Sequence, residues 1–172
     1  MLVQRDRLSE LDPESVPRYP HTIMSEAQHA SGISTATIEE LRKRADAAAR
    51  NSHSPYSHFR VGAALLLTVG GSPEEKIVTG CNVENASYRL TTCAEQSAIA
   101  TAVGLYGPAI RIHAVAVANL NDAASMPCGA CRQTILEFST PDTWVFYPAE
   151  KNEPAEATLT DLLPAAFRLN QS

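Results

Sequence analysis

Two short cysteine-containing segments, far apart in the chain, constrain the fold more than any other feature of the sequence. Cys93 stands two residues before Glu95, and Pro127 leads directly into Cys128 and Cys131. Cys128 and Cys131 are three positions apart, so in a helix they lie on one face of a single turn. Three thiolates can hold a tetrahedral zinc ion and leave its fourth position open to water, as a catalytic zinc requires. The chain is therefore expected to bring the two segments together.

Both cysteine segments are predicted to open helices. A helix N-terminus carries partial positive charge and unpaired N–H groups, which favour a thiolate over a thiol. Two alternatives remain open from the residues alone: a closed four-cysteine structural site with Cys81 as the fourth ligand, or four unrelated buried thiols. Glu95, otherwise an ordinary first-turn glutamate, lies beside one ligand where it can move protons, and this favours a catalytic site.

The hydrophobic periodicity predicts an α/β fold. A helix is predicted from about Thr37, where residues 37–40 fit a capping box, with Ile38, Leu41, Ala45 and Ala48 on its apolar side. Strands are predicted at 61–68, 77–83, 110–118 and 144–147, helices at 93–105 and 128–138, and a last strand and a helix broken by Pro164 within 158–169. An opening hairpin followed by alternating helices and strands indicates a three-layer α/β/α sandwich around a mixed sheet of about five strands.

The first 34 residues differ from the rest of the chain. They show no apolar periodicity and are interrupted by Pro13, Pro17 and Pro20. Residues 1–34 are therefore predicted to form an extended or disordered N-terminal arm, either a mobile tail or an ordered arm that packs on a partner subunit. Residues 35–172 are predicted to form one catalytic domain.

Composition narrows the class of partner. The net charge of −5 and the pI of about 5.5 argue against nucleic acid or an anionic membrane as the main partner. No apolar run approaches the roughly 20 residues that span a bilayer, and acidic residues from Asp6 to Glu14 are unlike a signal or transit peptide. The four cysteines then indicate metal ligation rather than disulfides, and a cytoplasmic location.

Five motifs, in order, resemble those of the short-chain, homotetrameric, zinc-dependent cytidine deaminases. They are residues 54–62 (SPYSHFRVG), 80–88 (GCNVENASY), 93–95 (CAE), 127–133 (PCGACRQ) with Glu137 and Phe138, and 162–164 (LLP) with Phe167. The resemblance leaves the first 34 residues uncovered.

The resemblance implies the hydrolytic deamination of cytidine and deoxycytidine to uridine and deoxyuridine, with release of ammonia, as in pyrimidine salvage. It implies one Zn²⁺ per chain, held by Cys93, Cys128 and Cys131, whose activated water attacks C4 of the cytosine ring. Glu95 is then the catalytic residue that moves the proton of that water to N3 and helps to protonate the departing amine.

The resemblance also assigns residues to the nucleoside. Asn82 and Glu84 alternate on a strand and so share a face, and they would hold the ribose 3′-hydroxyl. Phe59 would pack on the pyrimidine ring. Ala94 would donate its backbone N–H to O2, and Pro127 would accept from the amine through its carbonyl.

Three further positions imply an assembly. Ala86, Tyr88 and Phe167 match positions that in the family complete a neighbour's site, so the resemblance implies a homotetramer with shared active sites.

The sequence departs from the family pattern near the metal ligands. Gln96 stands where the family usually has an arginine that offsets thiolate charge, and Arg89 stands where a small residue is usual. The Gln96 amide can donate to a thiolate, and the helix N-termini, with Arg89 or Arg132, are expected to supply part of the missing positive charge.

The sequence is compatible to different degrees with three functions other than cytidine deamination. Deamination of a cytosine nucleoside antibiotic is close, but Asn82, Glu84 and Tyr88 favour a plain ribose. Nucleic-acid editing is disfavoured by the negative charge. A structural zinc module that binds partners would hold metal without turning over cytidine.

Overall fold

A computed structural model of the chain describes residues 29–169. The prediction of an N-terminal arm therefore falls almost wholly outside the described residues. The main elements, in chain order, are helix α1 (Thr35–Ala49), strands β1 (Val61–Val69) and β2 (Lys76–Cys81), helix α2 (Ala94–Tyr106), strand β3 (Ile110–Asn119), helix α3 (Gly129–Phe138), strands β4 (Ser139–Pro148) and β5 (Pro154–Thr158), and helix α4 (Leu159–Leu162). Within residues 29–169, no helix is both long and apolar enough to cross a bilayer.

The five strands form one mixed sheet in the order β2-β1-β3-β4-β5. Strand β1 is antiparallel to both β2 and β3, strands β3 and β4 are parallel, and β5 returns antiparallel to β4. The predicted opening hairpin and the predicted mixed sheet of about five strands are both confirmed.

Helices cover both faces of the sheet, which confirms the predicted three layers. On one face, α1 buries Ile38, Leu41 and Ala45 against Leu66 of β1 and Phe146 of β4. On the other face, α2, α3 and α4 pack on a second cluster that includes residues of all five strands. The alternation of side chains along each strand supplies both clusters, because successive residues point to opposite faces.

Several element boundaries differ from the sequence-based prediction. Strand β4 begins at Ser139 rather than at residue 144, and β2 ends at Cys81, so Asn82 and Glu84 follow the strand. Helix α1 begins at Thr35, two residues early, because Ser34 is extended and its hydroxyl accepts the N–H of Thr37 at 3.1 Å. The last strand was expected within 158–169, but β5 ends at Thr158, whose hydroxyl caps α4 by accepting the N–H of Asp161 at 3.1 Å. The cap fixes where the strand gives way to the helix, and α4 ends at Leu162, just ahead of Pro164 as expected.

Glycine at position 80 sets the distance between α2 and the sheet. A Cβ on Gly80 would lie 2.8 Å from the carbonyl oxygen of Ala94 and closer still to the backbone nitrogen of Ala98. Both atoms belong to the backbone and cannot swing away. The first turn of α2 therefore lies directly on β2 because position 80 has no side chain.

We expect Gly80→Ala to destabilise the fold by about 3 kcal/mol, the upper end of the usual cost of overpacking. The matched control is Gly104→Ala in α2, the helix that packs on Gly80, where an added Cβ meets nothing within 4 Å. That change should stabilise the fold by about 0.5–1 kcal/mol, because glycine is unfavourable inside a helix. Urea denaturation of the two variants checks the pair, and equal stabilities would contradict the role of Gly80.

Candidate active site

The N-termini of α2 and α3 meet and bring three cysteines together. Cys93 is the N-cap of α2, Cys128 is the N-cap of α3, and Cys131 lies in the first turn of α3. The three Sγ atoms all lie within 4.8 Å of one another, and those of Cys128 and Cys131 are 3.3 Å apart. The convergence predicted from the two sequence segments is thus present in the fold.

The donor set fits a zinc ion. Zn–S bonds of about 2.3 Å at tetrahedral angles put sulfur atoms roughly 3.8 Å apart, close to the observed spacing. Cys81 lies outside the group of three, so the closed four-cysteine alternative has no support within residues 29–169. One Zn²⁺ per chain fits the cluster, with three protein ligands and one open position.

The thiols hold their protons unequally. The hydrogen bond from the Cys131 thiol, together with a weaker one from Cys128, lowers the pKa of Cys93 to about 7, against the opposing effects of burial and of Glu95. The same hydrogen bond and burial raise the pKa of Cys131. Cys93 is therefore the first of the two to ionise, and metal binding must displace the proton that Cys131 retains.

Glu95 lies beside the cluster and is buried, with 4% of its surface exposed. Burial raises the pKa of its carboxyl, because the charged form loses its hydration. A hydrogen bond with Cys131 partly opposes this shift. A carboxyl that is buried beside a metal site can hold and release a proton, which an exposed first-turn glutamate would do at a lower pKa.

A cavity of about 300 Å³ opens above the cysteines and Glu95. Its volume is at the lower end for sites that bind small molecules. The sequence-predicted residues in its wall are Phe59, Asn82, Glu84, Cys93, Ala94, Glu95, Cys128 and Cys131. The residues in its wall that sequence reasoning missed are Ser57, Val61, Thr91, Val117, Ala124, Ser125 and Met126. Ser57 and Val61 lie inside the motif 54–62 and Met126 directly precedes the motif 127–133, so the motifs were the available signal.

Asn82 holds the backbone that carries Phe59. Its amide nitrogen donates to the carbonyl of Phe59 at 2.8 Å, and its amide oxygen accepts from the N–H of Val61 at 2.9 Å and from the hydroxyl of Ser52. One amide hydrogen is left over for a further acceptor, since a primary amide has two. Asn82 can therefore both build the cavity wall and donate into the cavity.

Glu84 is bound by the same loop. Its carboxylate accepts the backbone N–H groups of Tyr56 at 2.9 Å and Ser57 at 3.2 Å, and also the Ser57 hydroxyl. The Ser57 hydroxyl contributes most to lowering the pKa of Glu84, and the two N–H groups add to the effect. The cavity thus contains an ionised acceptor near Asn82.

Pro127 and Arg132 are not among the residues that line the cavity, although Pro127 stands between two that do, Met126 and Cys128. The Arg132 guanidinium donates through Nε to the Pro127 carbonyl at 2.7 Å and through Nη1 to the Leu162 carbonyl at 2.8 Å. Arg132 therefore joins the segment before Cys128 to the C-terminal end of α4.

Gln96 links the N-terminus of α2 to the middle of α3. Its amide oxygen accepts the backbone N–H of Cys93 at 3.3 Å, and its amide nitrogen donates to Thr134 of α3 at 3.5 Å. The amide thus forms a bridge between α2 and α3, and the expectation that it also donates to a thiolate stays a prediction.

The three residues assigned to a neighbour's site lie on the surface of the single chain. Tyr88 is 74% exposed and Phe167 is 67% exposed, and Ala86 is also exposed. Tyr88 contacts Tyr56 edge to face, and the Phe167 carbonyl accepts from Gln133 at 2.9 Å. None of the three lines the cavity of its own chain.

Comparison with known proteins agrees with this geometry. Residues 35–147 match the family described as the cytidine and deoxycytidylate deaminase zinc-binding region. The chain is 50% identical over 132 residues to a probable cytidine deaminase of Dictyostelium discoideum, covering 75% of this chain and 84% of that one. It is 41% identical over 128 residues to the cytidine deaminase of Halalkalibacterium halodurans, covering 74% of this chain and 91% of that one.

Solved structures extend the likeness to the fold. The crystal structure of cytidine deaminase from Mycobacterium tuberculosis has a TM-score of 0.64 and 39% identity, covering 77% of this chain and 98% of that one. The cytidine deaminase from Burkholderia pseudomallei has a TM-score of 0.64 and 36% identity, covering 78% of this chain and all of that one. With its three-thiol cluster at two helix N-termini and a glutamate two residues after the first ligand, the chain belongs to the short-chain, zinc-dependent family of cytidine deaminases.

Proposed function

We propose that the chain catalyses the hydrolytic deamination of cytidine and deoxycytidine to uridine and deoxyuridine, with release of ammonia, as a step of pyrimidine salvage. The observation that carries this proposal is the burial of Glu95 beside three converging thiols at the floor of one cavity. Membership of the cytidine deaminase family supports the same reaction.

Glu95 is the proton carrier in the proposed mechanism. Zinc, when bound by Cys93, Cys128 and Cys131, supplies an activated water molecule at its open position. Glu95 takes a proton from this water and delivers it to N3 of the cytosine ring, and it then carries the proton of the new C4 hydroxyl to the amine, which leaves as ammonia. Its raised pKa suits the task, because the carboxyl must hold each proton between taking it and releasing it.

The cavity wall orients the nucleoside. Glu84 and the remaining amide hydrogen of Asn82 hold the 3′-hydroxyl of the sugar as acceptor and donor. Phe59 packs on the pyrimidine ring, and the Ala94 N–H at the start of α2 donates to O2. The Pro127 carbonyl, which Arg132 fixes in place, keeps a second lone pair to accept from the amine.

The active form is proposed to be a homotetramer. Ala86, Tyr88 and Phe167 are exposed, and two of them are large hydrophobic residues. Such residues fit the role of completing a neighbour's site in an assembly.

A cytoplasmic location is also proposed. All four cysteines are free thiols in the structure, and free thiols that bind metal persist in reducing compartments. Cell fractionation that placed the protein in an oxidising compartment would count against this location.

Removal of one ligand tests the metal site. Cys128→Ala should lose the zinc and the turnover of cytidine, because two thiolates hold the ion far more weakly than three. Cys81→Ala is the matched control, since Cys81 lies outside the cluster, and it should keep about one zinc per chain. Metal analysis and the ultraviolet absorbance of cytidine are measured on the same samples. A Cys128→Ala chain with full zinc content would contradict the assignment.

Glu95→Gln tests proton transfer. The variant keeps the shape of the side chain, so zinc should remain bound, while kcat should fall by about 10²–10⁴ as expected for the loss of a general acid–base. Turnover is compared at equal zinc content. Near-normal kcat would reduce Glu95 to a helix-end residue.

Glu84→Gln tests the sugar contact. Loss of a hydrogen bond to a charged group should lower kcat/KM for cytidine by about tenfold or more. Free cytosine lacks the sugar, so it should be a poor substrate for both forms and should not distinguish them. Equal turnover of cytidine and cytosine by the unaltered enzyme would show that the sugar is not held.

Light scattering tests the assembly and should report four chains per particle. Phe167→Ala should lower kcat/KM for cytidine, because it removes a residue from a neighbour's site. Leu105→Ala, a change at another exposed hydrophobic residue that is 64% exposed, should leave kcat/KM unaltered. A fully active monomer would refute the shared site.

A further inference from the structure

One distant side chain, that of Asn121, is hydrogen-bonded to the backbone on both sides of Phe59. The Asn121 amide oxygen accepts the backbone N–H of Arg60 at 2.9 Å, and its amide nitrogen donates to the carbonyl of His58 at 3.0 Å. The two bonds flank Phe59 and join segments that are about sixty residues apart in the chain. This amide thus pairs with the backbone as a neighbouring strand would.

The loop that carries Phe59 needs these hydrogen bonds because its backbone is strained. His58 has a φ of 59°, in the left-handed region that non-glycine residues seldom occupy. A residue held there costs free energy and persists only where surrounding contacts enforce it. Phe59 follows directly, so its ring direction depends on whether His58 keeps this conformation.

Asn121 is itself held by Asn119, the last residue of β3. The Asn119 amide oxygen accepts the backbone N–H of Asn121 at 2.8 Å, and its amide nitrogen donates to the hydroxyl of Ser125 at 2.7 Å. Ser125 also lines the cavity. A chain of hydrogen bonds therefore joins two lining residues, Ser125 and Phe59, through Asn119 and Asn121.

We propose that Asn121 is a positioning residue. It fixes the position of the Phe59 ring and so the space that the cavity leaves for the pyrimidine ring. It acts through Phe59 and does not touch the substrate. The inference rests on the proposed function, in which Phe59 packs on the pyrimidine ring.

A double-mutant cycle on cytidine kinetics tests the inference. Asn121→Ala should raise KM about fivefold, in keeping with the net worth of the hydrogen bonds lost, with little change in kcat or zinc content. Asn121→Asp keeps the acceptor for Arg60 but sets a carboxylate oxygen against the His58 carbonyl, so its KM should also rise. Asp122→Asn is the control, because the neighbouring Asp122 is exposed and has a φ of 51° that asparagine also tolerates.

The cycle separates an effect through Phe59 from a general loss of structure. In a Phe59→Ala background, Asn121→Ala should have no further effect on KM, because the ring that it positions is gone. Additive effects, or an unaltered KM in Asn121→Ala and Asn121→Asp, would overturn the inference. Amide hydrogen exchange at Arg60 gives a readout independent of turnover: it should accelerate in Asn121→Ala and not in Asp122→Asn, and equal exchange would also overturn it.

Different results would overturn the proposed function itself. An unaltered, zinc-loaded chain that does not deaminate cytidine, or a Phe59→Ala variant with normal KM, overturns the role of Phe59 and with it this inference. An active enzyme that is sensitive to Phe59→Ala and indifferent to Asn121 overturns the inference alone.

Discussion

The contact between α2 and β2 at Gly80 is the constraint on which the active site depends. Because position 80 has no side chain, the first turn of α2 lies on the backbone of the sheet beside the strand that leads to Asn82 and Glu84. The same first turn carries Cys93 and Glu95. Metal ligand, proton carrier and sugar contacts are thus placed by one close approach, and a single methyl group would shift all of them together.

The N-termini of two helices then determine the electrostatic environment of the three thiols at the bottom of the cavity. The partial positive charges of α2 and α3 face the same thiols and offset part of the negative charge of three thiolates. Gln96 contributes no charge, and its value lies in holding the N-cap of α2 to α3 through Thr134. The positive charge of Arg132 is near, and its hydrogen bonds tie the Pro127 segment to α4.

Much of the fold was predictable, because apolar periodicity decides it. The run over 61–68 predicted β1 closely, since a buried strand leaves an unbroken apolar run in the sequence. The return at 77–83 predicted β2 to within two residues, although only Val78 of that strand is buried. Boundaries set by side-chain caps were less accessible: Ser34 and Thr158 act through hydroxyls whose geometry depends on the neighbouring backbone.

The candidate site was predictable where chemistry dictates spacing. Three thiols and a glutamate must recur at fixed positions, so their convergence could be expected. The rest of the wall could not, because residues such as Ser125 and Val117 reach the cavity through the strand order and carry no chemical signature. The sequence also could not show that Asn82 both holds the backbone around Phe59 and lines the cavity, because the first role depends on contacts between distant segments.

The direction of the β1–β2 hairpin has a practical consequence. Strand β1 begins at the cavity and runs away from it for nine residues, about 26 Å, before the chain turns at Gly70 and Gly71. Both glycines have positive φ with open space around them, and residues 70–75 are exposed. Lengthening a surface loop costs little free energy of closure. The hairpin tip is therefore the natural place to insert a fluorophore or an affinity peptide, since a label there stays at the opposite end of the sheet from the nucleoside.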